Sequence, residues 1–278
     1  MADPAASRLP RRRVLRAGVC AAGVRELDVD GYRFDAAWGI RERSPDAWPQ
    51  LLAELRRVKP DALLLAGASA RDAYYGETGF DLANDWTDEL GVWAWTSVFA
   101  EPDGIVERLD AALGGSPSAT TFRFLNNNDT GTRFLDRYGP GLTRVAAALL
   151  MTLPGVPGVY CGEEVGASLD PYETYQPIDW STNPDVRAWY TQLIEVRAEL
   201  PALRSATYVR LAVTPAADVL AFQRGPVRVL LNFADRPVSA VVDPPAAGPL
   251  VDRLTGAVLR PGPVELPAYG AALLSPPA

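Results

Sequence analysis

What most constrains the fold of this chain is a change in its hydrophobic pattern near Ser205. Before that point, stretches with helical spacing alternate with short apolar runs, as βα units of a parallel sheet do. Val14, Ala17, Ala21 and Val24 step by three and four, one face of a helix. Gly31 to Asp35 follows as a strand, and Ser44-Pro45-Asp46 opens a helix with Trp48, Leu51, Leu55 and Val58 on its apolar face. Ala62 to Ala66 is apolar throughout, which predicts a strand buried on both faces. Phe80-Asp81 and Trp86 to Phe99 read as a loop-rich aromatic region. Phe122 to Leu125 is a strand, Leu142 to Leu153 a helix stopped by Pro154-Gly155, and Val156 to Tyr160 a strand. Its internal proline predicts an edge or a strand start. Asn183-Pro184 starts a helix that runs to about Leu200, with Asn at the cap and Pro at the first helical position. Beyond Ser205 the runs are short and β-type: Val219 to Gln223, Val227 to Phe233, Val238 to Val242 and Ala271 to Leu274. The expected organisation is an α/β domain over 1–204 and a small antiparallel β domain over 205–278.

The composition removes several chemistries. The chain has no histidine, so a Ser-His-Asp triad and every His-ligated metal are closed to it. Cys20 and Cys161 stand far apart with no CxxC, which excludes a disulfide framework and a Cys/His zinc site. That cysteine usage predicts a reducing, cytoplasmic setting. A net charge of −7 gains nothing from counterion release, so nucleic acid is not an expected partner. No apolar stretch is long enough to predict a membrane span. Arg11-Arg12-Arg13 resembles the start of an export signal, but Arg16 and Arg25-Glu26 break the apolar run that such a signal needs. No Gly-x-Gly-x-x-Gly follows a strand, which sets aside a dinucleotide-binding enzyme. Acid–base work is left chiefly to carboxylates.

In Gly31-Tyr32-Arg33-Phe34-Asp35-Ala36-Ala37-Trp38, side-chain alternation along a strand puts Arg33 and Asp35 on one side. The guanidinium would keep the carboxylate ionised at the C-terminal end of a parallel strand, where (β/α)8 barrels carry their chemistry. A surface salt bridge at a strand end accounts for those residues equally well. The segment resembles the nucleophile region of the alpha-amylase family of glycoside hydrolases, G-F/Y-R-x-D-A. Three more segments resemble that family in order: Leu63-Leu64-Leu65-Ala66-Gly67-Ala68-Ser69, Phe124-Leu125-Asn126-Asn127-Asn128-Asp129-Thr130, and 154–164, which reads P-G-V-P-G-V-Y-C-G-E-E.

The resemblance implies a partial (β/α)8 TIM-type barrel, about strands 4 to 8, followed by a small antiparallel β-sandwich. It implies a retaining mechanism on α-glucans or maltooligosaccharides, with two carboxyl groups about 5–5.5 Å apart. Asp35 takes the nucleophile's place, Arg33 its ion-pair partner's, and Asp129 that of the aspartate binding sugar hydroxyls. Asn128 replaces the family's histidine, and its amide still hydrogen-bonds a hydroxyl. No cofactor is implied and no metal ligand is assigned.

Gly67 stands where the family has its acid/base glutamate and can donate no proton. The nearest carboxylates, Asp72 and Glu77, lie in an expected loop five and ten residues on. About 205 residues stand here against about 250 in a full barrel, so the first strands are expected to be missing. A partner chain or self-association would then cover the open edges. An impaired glycoside hydrolase or transglycosidase is one expectation. A non-catalytic carbohydrate-binding or partner-binding homologue is the other, with Tyr32, Trp38, Tyr74, Tyr75, Trp93 and Trp95 as stacking candidates.

Overall fold

The computed structural model describes residues 23, 26–85, 95, 98–114, 121–168 and 176–277. The helix expected over Val14 to Val24, Cys20 and Trp93 lie outside the described residues, as does most of the 86–99 loop. The chain divides into two compact units, 1–88 and 89–278.

The first unit carries β1 (Gly31–Phe34), α1 (Ala37–Arg43), α2 (Ala47–Val58), β2 (Leu63–Ser69), α3 (Ala73–Glu77) and β3 (Leu82–Asn84). β1 runs parallel to β2 from Gly31↔Leu63 to Phe34↔Ala66, and β2 runs parallel to β3 with a register shift after Ala66. The βα alternation is therefore real in this unit. β2 is not buried on both faces throughout: Leu64, Ala66 and Ala68 are fully buried, whereas Leu63 is 51% exposed and Leu65 half-buried. Leucine runs alone do not reveal which face is covered, since neighbouring elements decide that.

The expected apolar face of α2 is also rotated, with Trp48, Leu52 and Leu55 as its buried residues. Trp48 meets Phe34 and Phe80 edge-on at ring separations of 5.1 and 5.2 Å. Its indole Nε1 donates to Ala37 O at 2.9 Å. This aromatic cluster fastens α2 beneath the strand that ends at Asp35. Helix α1, which hydrophobic periodicity did not predict, begins after Ala36, held at a left-handed φ of 44°. An L-residue adopts that conformation only at a cost of about 1–3 kcal/mol, so surrounding packing must hold it.

The second unit contains α4 (Ile105–Gly114), β4 (Thr121–Phe124), α5 (Phe134–Thr152), β5 (Val156–Gly158) and α6 (Pro184–Glu199). β4 and β5 pair in parallel, Arg123 opposite Pro157, and β5 is a terminal strand of its sheet among the described residues. α5 is two helical segments joined at Gly139, whose φ of 77° is non-helical; the segment from Pro140 matches the helix expected from Leu142, and the segment from Phe134 was not expected. At α6, Asn183 does not cap with its side chain. It sits at φ 44° and donates its amide to Val165 O at 2.8 Å.

The end of α5 is held by arginines. Arg197 donates to Met151 O and Gly155 O at 2.7 and 2.8 Å, Arg123 to Pro154 O at 2.8 Å, and Arg224 to Thr152 O. Guanidinium groups suit the carbonyl end of a helix. Burial, with repulsion from Arg204 on Arg197 and from Arg197 and Arg123 on Arg224, lowers both pKa values to about 10.

Nine short strands complete the unit: β6 (Val209–Arg210), β7 (Ala212–Thr214), β8 (Val219–Arg224), β9 (Val227–Asn232), β10 (Val238–Asp243), β11 (Leu250–Asp252), β12 (Val258–Leu259), β13 (Val264–Leu266) and β14 (Ala271–Ser275). They form two antiparallel sheets, ordered β12-β11-β14-β9-β8-β6 and β13-β10-β7. The sheets share a core that includes Val213, Val219, Leu230 and Ala240. The opposite face of β8 and β9, with Leu220, Phe222, Val229 and Leu231, joins Val145 and Leu149 of α5 in a second core. That double burial explains the unbroken apolar text of 219–222 and 229–231.

Candidate active site

Asp35 follows β1 directly. Arg33 Nη1 donates to Asp35 Oδ1 at 2.6 Å, so strand alternation does bring the expected pair together. The Asp35 side chain is 80% exposed, so this ion pair orients a solvent-accessible carboxylate and adds little stability.

Gly67 lies in β2 beside this turn. A Cβ there would meet Phe34 O at 2.7 Å, Ala36 N at 3.2 Å and Arg33 Nη2 at 3.2 Å. The close approach of β2 to the 34–36 turn therefore uses the missing side chain. Asp72 is engaged otherwise: Arg41 donates to its Oδ2, and its Oδ1 accepts Tyr74 N at 3.1 Å as the cap of α3. Arg41 also lies over the Tyr74 ring, 4.1 Å from its centre. Glu77 ends α3 and is exposed.

In the second unit, the loop after β4 carries Asn126 to Thr130. Asn127 Oδ1 accepts Asp129 N at 2.8 Å, a turn built by the side chain itself. Asn128 Nδ2 donates to Asp129 Oδ1 at 2.9 Å, so those two expected residues also stand together. Asp129 is exposed and Asn128 half-buried. The Arg33–Asp35 and Asn128–Asp129 pairs belong to different compact units.

Glu163 is the titratable group that sequence reasoning passed over. It is 6% exposed and receives Tyr190 Oη at 2.6 Å, Asn126 Nδ2 at 2.7 Å and Tyr160 N at 3.4 Å. Burial raises its pKa to about 7, against the pull of these three donors and of nearby Arg133. Burial also pushes the Tyr190 hydroxyl well up, helped by the adjacent Glu163 charge. Asn126 Oδ1 accepts Phe134 N at 2.7 Å, so one side chain ties the β4 loop, the start of α5 and Glu163 together. The run Gly162-Glu163-Glu164 was the available signal, but nothing in it says which glutamate turns inward.

Of the stacking candidates, Tyr75 and Trp95 are core residues, 2% and 5% exposed, while Tyr32, Trp38 and Tyr74 are half-buried. Trp180, which was not among them, is 48% exposed. No group of three or more Cys, Asp or Glu side chains able to hold a metal stands together among the described residues.

A parallel βα layer with an Arg–Asp pair at a strand end, followed in the chain by two antiparallel sheets, defines the class in which relatives are to be sought. The chain matches no protein-family model. It is 30% identical over 190 residues to alpha-amylase 3 of Dictyoglomus thermophilum, covering 63% of this chain and 37% of that protein. It is 28% identical over 195 residues to the maltogenic alpha-amylase of Bacillus acidopullulyticus, covering 65% and 32%. The chain thus matches about a third of the length of these curated relatives. Among solved structures, Ttha1563 from Thermus thermophilus aligns with TM-score 0.78 and 26% identity, covering 96% of this chain and 62% of that one. The alpha-amylase from H. orenii aligns with TM-score 0.76 at 21% identity, covering 96% and 64%, a likeness of fold. The relatives that the chain resembles over most of its length are thus an alpha-amylase and a maltogenic alpha-amylase.

Proposed function

We propose that this chain is an alpha-amylase-family glycoside hydrolase or transglycosidase homologue acting on α-glucosidic bonds of α-glucans or maltooligosaccharides, with an impaired retaining site. The observation that carries the reading is the 2.6 Å Arg33–Asp35 pair at the end of β1, with the side-chain-free Gly67 packed against the same turn. In this reading β1 to β5 correspond to about the fourth to eighth strands of a (β/α)8 barrel. The catalytic portion is 1–204 and the β portion 205–278, a division by strand type rather than by compactness.

Asp35 attacks the anomeric carbon while Arg33 holds its carboxylate in place. Asp129 and Asn128 bind sugar hydroxyls. The departing alcohol needs a proton, and Gly67 has none to give. General acid catalysis is worth on the order of 10²–10⁴ in rate, so poor leaving groups suffer most. The same position serves as base when water releases the glycosyl-enzyme, so its absence slows turnover twice.

An α-glucosyl fluoride tests this directly, because fluoride leaves without a proton. The expected result is a covalent glucosyl adduct on Asp35, seen by mass spectrometry, that accumulates because its hydrolysis is slow. Asp35→Asn should form none. A wild-type chain that stays unlabelled sinks the nucleophile assignment.

The packing at Gly67 favours one alternative, a non-catalytic carbohydrate-binding homologue. Saturable maltooligosaccharide binding with neither turnover nor adduct would select it.

A further inference from the structure

We infer that the second unit carries an accessory binding groove for a neutral oligosaccharide, between Trp180 and the outer face of α6. A groove of about 370 Å³ runs there, lined by Trp180, Arg187, Ala188, Thr191, Gln192 and Glu195 among others.

The residue order explains its shape. Arg187, Thr191 and Glu195 repeat every four residues, as do Ala188 and Gln192, so both rows lie on one face of α6. Ala188 and Thr191 are the small members of the lining, Arg187, Gln192 and Glu195 the long polar ones, and Trp180 its aromatic wall. From Arg187 to Glu195 the helix rises about 12 Å, enough for a short run of sugar rings.

The wall is fixed in advance. Asp179 Oδ1 accepts Ser181 N at 2.9 Å and Ser181 Oγ at 2.6 Å, and Asp179 O accepts Thr182 Oγ1 at 2.9 Å. Arg187 donates to Trp180 O, joining the loop to the helix. Thr182 Oγ1 and Asn183 Nδ2 both reach Val165 O, at 3.2 and 2.8 Å. These bonds fix the loop that carries the 48% exposed Trp180, and an ordered loop reduces the entropy lost on binding.

The lining selects the ligand class. An aromatic face suits the apolar C–H face of a pyranose, and the edges offer both donors and acceptors for hydroxyls. Gln192 Nε2 is held by Leu254 O at 2.6 Å, which fixes the side chain and turns its carbonyl oxygen to acceptor duty. Arg187 and Glu195 bring opposite charges, so the groove favours no ion of one sign. An α-glucan segment meets these terms. That choice of sugar rests on the proposed function, whereas the groove itself does not.

The test is calorimetric titration of the full chain with maltoheptaose. Binding is expected, and Trp180→Ala or the groove-filling Ala188→Trp should each weaken it at least about tenfold. Both variants should melt as the wild type does, and both should still form the Asp35 adduct. Binding unchanged in both variants would overturn the proposal, as would no binding up to about 10 mM ligand. Loss of the adduct with groove binding intact would instead remove the catalytic reading and leave the groove standing.

Discussion

Restoring the family's glutamate by Gly67→Glu is expected to destabilise the chain by about 3 kcal/mol, without restoring hydrolysis. The top of the overpacking range applies because the obstacle is backbone. A Cβ would stand 2.7 Å from Phe34 O and 3.2 Å from Ala36 N, and neither can rotate away as a side-chain tip could. Ala36 is already left-handed, so the turn has little freedom to yield. The new carboxylate would also compete with Asp35 for Arg33, whose Nη2 lies 3.2 Å from the same Cβ position. Denaturant unfolding and a maltooligosaccharide assay on the purified variant check both halves. Wild-type stability together with measurable turnover would show that Gly67 is a simple deletion in an otherwise competent site.

Stability should also fall with rising pH through the titration of Glu163. Its folded pKa, about 7, lies above the usual carboxylate value of 4.5, so the folded state holds its proton over a range where the unfolded chain has released it. Below about pH 4.5 both states are protonated and this contribution to stability is complete. It is lost as pH rises through 7, and the loss is on the order of 3 kcal/mol for a group this buried. Glu163→Gln keeps the size of the side chain and removes the charge. Unfolding free energies of the two proteins, measured from pH 4.5 to 8, should converge or cross as the wild type weakens relative to the variant. Parallel curves would mean that Glu163 ionises as easily in the fold as outside it.

Much of the architecture was legible because periodicity reports which side of an element faces the core. The strand at Gly31, the helix at Ala47, the Asn183-Pro184 helix start and the β-type text after Ser205 all carry that signal. Periodicity failed where burial is decided by distant elements. Leu63 looked as buried as Leu64, yet it is half exposed while Leu64 is fully buried. Tyr75 and Trp95 looked available for stacking and proved to be core, while Trp180 is exposed. The kink at Gly139-Pro140 hid the first turns of α5, and Asn183 spends its amide on Val165 rather than on its own helix.

The Arg33–Asp35 contact could be derived from sequence because it is local: residues two apart on a strand must share a side. By resemblance, Gly67 stands where the family carries a glutamate. Only the packed strands show that the space for a side chain has closed as well, since the obstructing Phe34 O and Ala36 N belong to a strand and turn some thirty residues earlier. Glu163 marks the same division. Its chemistry is written in the sequence, but its pKa comes from burial beneath Tyr190 and Asn126, 27 and 37 residues away along the chain. Sequence determined which groups are present and which neighbours share a face. Tertiary structure alone decided which of those groups lost water, because desolvation depends on atoms the chain brings from afar.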